Sequence, residues 1–363
     1  MKTLEKTGGN KFLAFLKRAV RNQIFIPLAA LLILVLFNLI ADPSFFAIKY
    51  APNSAGDMVI SGNIITILDN ASELAILAIG MTLVTSASGG QDISVGATIA
   101  VAGSVVLRVL CGGEVSPATL HAPIIVAFLA CVVVSMLLGA FNGTLVAYFK
   151  IQPMVATLIL FSAARAIGLL LCNNMIVYVR EDSFKIFGGY LGFIPTPIVV
   201  VAVCIIITSL ILKKTALGLY VQSVGINKKA SRIAGIKSER IIFLCYIVCG
   251  LCAGIAGIVA SSRISSADSN NIGLNFELDA ILAVALGGNS LGGGKFRLTG
   301  SIIGAYTIQA ITTTLYALGV STEQAPVYKA VIVIIIVAIQ APPFKDYMKK
   351  MSAKRQLAKG GVA

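Results

Sequence analysis

Hydrophobic positions fall in runs of about 18 residues or more that recur from one end of the chain to the other, and a bilayer core about 30 Å thick needs about 20 helical residues to cross. Ten stretches are expected as membrane spans, near residues 24–41, 64–86, 94–111, 123–149, 154–172, 194–212, 241–262, 277–291, 299–318 and 327–342. The fold class this predicts is all-α, a polytopic membrane helix bundle. Two polar, glycine-rich stretches, GGQDISVG at 89–96 and GGNSLGGGKFRLTG at 287–300, interrupt the second and eighth spans. Membrane helices break where a cavity needs backbone groups, so these interruptions point to a cavity inside the bundle. A shift of 204 residues superposes Glu73 on Glu277, Gly89 and Gly90 on Gly293 and Gly294, and Gly96 on Gly300, with parity that makes the two copies parallel.

Composition agrees with the pattern. The 363 residues are 57% hydrophobic and only 12% charged, where a soluble domain carries about 25% charged residues. A net charge of +14 raises the question of nucleic acid, and the placement of the 29 Lys and Arg residues answers it. Six lie in residues 1–23, seven between Lys213 and Arg240, and six after residue 343. Clusters that flank apolar spans set membrane orientation, so both termini are predicted cytoplasmic and no nucleic-acid partner is implied. The first apolar run, from Ile24 to Ile40, has no small-residue cleavage site before Asp42 and is expected to stay as the first span. The seven cysteines lie within or at the ends of apolar runs and suit small buried hydrophobes, and the single histidine, His121, offers no metal or acid–base constellation.

The largest polar segment inside the bundle is the predicted cytoplasmic loop 213–240. Its stretch from Lys228 to Ile236 has helical character, with Ala230, Ile233 and Ala234 at spacings of three and four among basic residues. It could dock a soluble partner, or it could be a basic loop held at the lipid headgroups. Gly288–Phe296 looks like a phosphate-binding loop but has Asn289 where glycine is required and Phe296 where Ser or Thr is required. No catalytic dyad or metal cluster is evident, so the chain is expected to have no enzymatic role and to bind no cofactor.

Ionisable groups inside a membrane are costly, about 2.5 to 3.5 kcal/mol each on insertion scales, and so mark candidate sites. They are Asp69, Glu73, Asp92, Arg165, Glu277 and Asp279. Arg165, about twelve residues into its span, is expected to face a carboxylate or a polar pore. Uncharged polar groups near the breaks include Asn70, Asn142, Gln152, Thr157, Asn270, Asn271 and Asn289. Such amides and hydroxyls suit a neutral polyhydroxylated ligand, and the competing reading is hydrogen bonding between helices. An ion- or proton-coupled secondary carrier for a small polar solute, the alternative class, would show a membrane-crossing acidic or histidine relay, and no such relay is evident in the spans.

GGQDISVGATIAVAG resembles the GGIDLSVG signature of permeases of ATP-binding-cassette sugar importers of the ribose and galactose type. KTALGLYVQSVGINKKASRIAGI, GLCAGIAGIVASSRISSAD, ELDAILAVALGGNSLGGGKFRLTGSIIGA and VYKAVIVIIIVAIQ extend the resemblance over nearly all of residues 64–340. IQPMVATLIL, KTALG, GIN and ELDAILAV are most similar to the galactofuranose branch, and Gln91 stands where the signature has isoleucine. The resemblance implies a bacterial inner-membrane permease with a second permease subunit, identical or related, two cytoplasmic ATPases that hold ATP and Mg, and a periplasmic sugar-binding protein. From the charge clusters and apolar spans, basic cytoplasmic tails are expected at 1–23 and 345–363 around a permease domain at 24–344. Lys228, Lys229, Ala230, Ser231, Arg232, Ile233, Ala234, Gly235 and Ile236 would form the helix that couples to the ATPase. Asn70, Glu73, Gln91, Asp92, Asn142, Thr157, Arg165, Asn270, Asn271, Glu277, Asp279 and Asn289 would lie along the substrate path.

Overall fold

The computed structural model describes residues 25–52 and 58–340, so both basic tails predicted from the sequence lie outside the described residues. Ten helices correspond to the ten apolar stretches: α1 (Phe25–Ala41), α2 (Asn63–Ser88), α3 (Val95–Cys111), α4 (Ile124–Ala147), α5 (Pro153–Leu171), α7 (Thr196–Lys214), α10 (Ser238–Ile264), α11 (Phe276–Leu286), α12 (Leu298–Ala317) and α13 (Ala325–Gln340). Between them lie the short α6 (Asp182–Lys185), α8 (Leu217–Ile226) and α9 (Lys228–Ile233). The protein is thus a polytopic helical bundle, in which α2, α4, α5, α7 and α10 are each long and apolar enough to cross a membrane alone.

Small residues decide where the helices meet. On α4, Ala127, Cys131, Ser135, Gly139 and Gly143 recur at every fourth position and are buried, while Ile125, Leu129, Val133, Leu137 and Phe141 recur at the same interval and are exposed. This is the arrangement expected in lipid, where large apolar side chains gain nothing by leaving the tails and small ones let backbones approach. The buried stripe meets α10, the hub of the bundle, which packs along α2, α3 and α4. At Gly250 a Cβ atom would stand 2.3 Å from the Ser135 carbonyl oxygen, so only glycine fits. The cysteines join this packing as free thiols, six of them buried and Cys204 half-buried.

The two ends of the bundle differ. At one, three antiparallel strand pairs form: β1 (Lys49–Pro52) with β2 (Met58–Ser61), β3 (Val177–Tyr178) with β6 (Ser266–Ala267), and β4 (Tyr190–Leu191) with β5 (Ile194–Pro195). We call it the hairpin end. The other, the glycine end, gathers the turns after α2 and α11 with α8 and α9. The expected interruption of the second span is corrected here. α2 is continuous over 26 residues, and Gly89, left-handed at φ 73°, caps its C-terminus, with its N–H donating to the Thr85 carbonyl. The glycines therefore end this helix and do not break it. The eighth span does differ from a full crossing. α11 has 11 residues and is about 16 Å long at 1.5 Å per residue, about half of the bilayer core.

Gly250→Val is expected to lower the unfolding free energy in detergent by about 1 to 3 kcal/mol, the usual cost of overpacking. Ala166→Val, on an exposed face of α5, is expected to change it by less than about 0.5 kcal/mol. Thermal unfolding followed by circular dichroism checks both.

Candidate functional site

The missing half of α11 is replaced by residues 265–275, which run from the hairpin end into the bundle. Ile272 and Gly273 pack against Gly103, Gly96 and Ile99 of α3. Backbone that is not helical needs hydrogen-bond partners at this depth, because lipid offers none. Arg165 supplies them. From the twelfth residue after Pro153, about 18 Å along α5, its Nη1 donates to the carbonyls of Ser269 at 3.0 Å, Asn270 at 3.1 Å and Ile272 at 3.4 Å. Its guanidinium carbon also stands 5.9 Å from the Phe161 ring centroid. Sequence reasoning expected a carboxylate or a pore, and the chief partners of Arg165 are main-chain oxygens.

Other side chains complete the segment. The Ser104 and Ser269 hydroxyls lie 2.7 Å apart. Asp268 accepts from the backbone N–H groups of Asn270 and Asn271 and, at 2.6 Å, from the Asn271 side-chain amide. Gly273 turns the chain at φ 68°, and Asn275, left-handed at φ 65°, is the N-cap position of α11. Glu277 is 4% exposed and lies so close to Gly96 that a Cβ there would stand 2.0 Å from Glu277 Oε2. That oxygen is buried without a hydrogen-bond partner, as are Nε and Nη2 of Arg165. Asn270, Asn271 and Asn275 are exposed on the single chain, which gives this level of the bundle a row of amides able to exchange hydrogen bonds with hydroxyl groups.

Nearer the hairpin end, α2 and α10 are joined by charge. Arg263 pairs with Asp69, donates from Nε to Glu73 at 3.0 Å, from Nη1 to the Asn70 side-chain oxygen at 3.1 Å, and from Nη2 to the Asp69 carbonyl at 3.2 Å. Asn70 and Glu73, both expected on a substrate path, thus belong to an interhelical ion network. Arg263 is not among the candidate residues read from the sequence, because nothing local names its partners 190 residues away. In the adjacent hairpin, burial and then the Asp69 charge push the Tyr190 hydroxyl above the usual tyrosine range. Asp279 is paired as well, accepting from Lys329 of α13 at 2.7 Å.

At the glycine end, Asp92 is 2% exposed and accepts from the Ser94 N–H at 2.9 Å and the Ser94 hydroxyl at 2.6 Å. The Asn142 amide donates to the Ser94 hydroxyl at 2.8 Å, and the Thr157 hydroxyl accepts from the Ile93 N–H at 3.1 Å. The turn after α2 is thereby bound to α4 and α5. Gln91 crosses to the other glycine-rich turn, donating to the Leu291 carbonyl at 3.0 Å. Asn289 closes that second turn: its side chain accepts from the Arg297 N–H at 2.7 Å and donates to the Ser301 hydroxyl at 2.7 Å. The Ser301 hydroxyl in turn accepts from Thr82 of α2 at 2.6 Å.

α9 projects from this end. Asn227 caps it, accepting from the Ala230 N–H at 3.0 Å, and the Arg232–Glu239 ion pair ties it to α10. Ser231 is buried against the protein, whereas Lys229, Ala230, Arg232, Ala234 and Gly235 are exposed and Ile236 is half-buried. Ile233 is 90% exposed. Lys228 differs from its neighbours because its ammonium reaches back to the Ser88 carbonyl at 3.1 Å. Burial there pulls the Lys228 ammonium below the usual lysine range, with the Glu239 charge opposing. The twelve candidate path residues are therefore divided among the re-entrant segment, the ion pairs of α2 and α11, and the glycine turns.

Arg263→Met would leave Asp69 and Glu73 without a countercharge. Breaking a buried pair from one side costs about 3 to 5 kcal/mol, so the variant is expected to unfold at a clearly lower temperature in detergent. Adding Glu73→Gln is expected to recover part of the loss, and a double-mutant cycle on unfolding free energies measures it.

Residues 63–340 match the family described as branched-chain amino acid transport system, permease component. The chain is 40% identical over 328 residues to the galactofuranose transporter permease protein of Escherichia coli strain K12, which covers 90% of this chain and 92% of that protein. It is 34% identical over 357 residues to the fructose import permease protein of Bifidobacterium longum, covering 97% and 96%. It is 35% identical over 317 residues to the ribose import permease protein of Escherichia coli strain K12, covering 86% and 92%. The chain belongs to this family of transport permeases, the permease subunits of ribose- and galactose-type ATP-binding-cassette importers that its motifs resemble.

Proposed function

We propose that the chain is the membrane-spanning subunit of a bacterial ATP-driven importer, and that it forms the inner-membrane path for a monosaccharide, with galactofuranose the first candidate. Its relatives named for galactofuranose, fructose and ribose support the sugar class. All ten helices matching the apolar stretches cross the membrane in this reading, α11 as a half-helix completed by the re-entrant segment. The glycine end faces the cytoplasm, as the basic residues between Lys213 and Arg240 favour, and both termini lie on that side.

The observation that carries the proposal is the exposure of Ile233, at 90%, on a capped helix anchored to the glycine end. A bulky apolar side chain flanked by exposed Lys229 and Arg232 suits a soluble partner with an apolar pocket and an acidic rim. The partner is the cytoplasmic ATPase, which binds ATP and Mg and hydrolyses the nucleotide. A periplasmic sugar-binding protein delivers the ligand to the hairpin end, and a second permease, identical or related, completes the path. Exposed amides at membrane depth are poor neighbours for lipid, so Asn270, Asn271 and Asn275 line that path with Arg165 and Glu277 behind them. Asn70, Glu73 and Asp279 hold its outer walls, while Gln91, Asp92, Asn142, Thr157 and Asn289 shape its cytoplasmic mouth.

With the importer purified through a tag on this chain, Ile233→Asp is expected to reduce the copurified ATPase by about tenfold, the effect of about 1.4 kcal/mol. Because Ile233 is exposed, the melting temperature of the permease itself should stay unchanged. Retention of the ATPase at the wild-type ratio would contradict the docking role and assign α9 to the lipid headgroups.

A further inference from the structure

The protein-facing side of the α8–α9 segment makes contacts that docking alone does not require. At Gly225 a Cβ atom would lie 1.8 Å from the Ser86 carbonyl oxygen and 2.6 Å from the Gly294 nitrogen. Those two groups are themselves hydrogen-bonded, the Gly294 N–H donating to the Ser86 carbonyl at 3.0 Å. The last turn of α8 therefore rests, backbone on backbone, on the bond that joins the end of α2 to the second glycine-rich turn. Three residues on, Lys228 Nζ donates at 3.1 Å to the carbonyl of Ser88, the last residue of α2. A helix C-terminus presents unsatisfied carbonyls and partial negative charge, so an ammonium is held firmly there. The carbonyl of Lys228 accepts from the Ser238 hydroxyl at 3.2 Å, which brings in the first residue of α10. Gln91 and Leu291 link the two turns directly.

We propose that Gly225 and Lys228 are positioning residues that fasten α9 to both glycine-rich turns, so that a displacement of α9 moves the cytoplasmic mouth and, through α11, the amide-bearing segment. The inference rests on the reading of α9 as the ATPase contact. It reassigns Lys228 from the docking surface to the link behind it. The link is physically continuous. Gly225 and Ile226 touch Gly294, the turn containing Gly294 follows directly on α11, and α11 begins at Phe276, beside Asn275. An 11-residue helix with a fixed hydrogen-bond ladder behaves as a short rod, and a coupling claim needs such a chain of packed elements. The contact at Gly225 has no side chain that could yield by changing rotamer, so displacement there passes directly to the turn.

The test uses the whole importer, with permease, ATPase and binding protein in proteoliposomes, and measures sugar accumulated per ATP hydrolysed. Lys228→Met is expected to keep the ATPase bound while the sugar-to-ATP ratio falls about tenfold, in line with the loss of one charge-assisted hydrogen bond. Lys228→Arg, which keeps the cation, should return the ratio to within about threefold of wild type. Gly225→Ala should lower the same ratio in complexes that still carry the ATPase. An unchanged ratio in Lys228→Met overturns the proposal. Loss of the ATPase from Lys228→Met also overturns it, by returning Lys228 to the docking surface. Failure of the underlying reading is distinguished by Ile233→Asp, which would then keep the ATPase bound while Lys228→Met is read separately.

Discussion

The constraint on which the structure depends is that lipid satisfies no backbone hydrogen bonds. A chain that leaves the helical state inside the bilayer must bring its own partners, and residues 265–275 do so through a buried guanidinium serving three carbonyls, an aspartate serving two N–H groups, and a glycine of α3 that makes room for Glu277. Those partners come from α3, α5 and the segment itself. What it exposes is a row of asparagine amides at a depth where amides need a polar neighbour. A second property of lipid, that its tails are as apolar as leucine, accounts for the packing of α4, whose small residues face α10 and whose large apolar residues face outward.

The second organising feature is the meeting of the two glycine-rich turns. Neither lies inside a continuous helix. One ends α2 and the other joins α11 to α12, and they touch through Gly89 and Gly293 and through the Gln91 bond to Leu291. Close approach of main chains leaves little slack between them, and the end of α8 shares the junction. α9, the two turns and the half-helix α11 form one contiguous series, which is what the proposed coupling to a soluble ATPase requires.

The helices were legible in the sequence because length and apolar periodicity are local properties, and every predicted span corresponds to a helix at nearly the predicted place. The glycine-rich stretches were legible as breaks, but not which kind: a left-handed cap at Gly89 and a true half-helix at α11 look alike in a run of residues. α8 went unseen because its buried positions, Gly218, Val221 and Val224, include a glycine and sit within a basic loop. The polar residues were legible as a set, and their partners were not. Arg165 serves carbonyls more than 100 residues away, and Arg263 joins α10 to α2 across a similar gulf of sequence. Partner choice of that kind is decided by tertiary packing, which spacing along one chain does not encode.

The most direct test of the central claim, that the re-entrant segment lines an ATP-driven sugar path, is uptake of labelled sugar into proteoliposomes holding the permease, its ATPase and the binding protein, with Asn270→Leu beside the wild type. The account predicts accumulation only with ATP and a fall of about tenfold in the variant, as when one polar partner is left unmade, with ATPase still bound. Accumulation driven by an ion gradient without ATP, or a variant that transports at the wild-type rate, would contradict it.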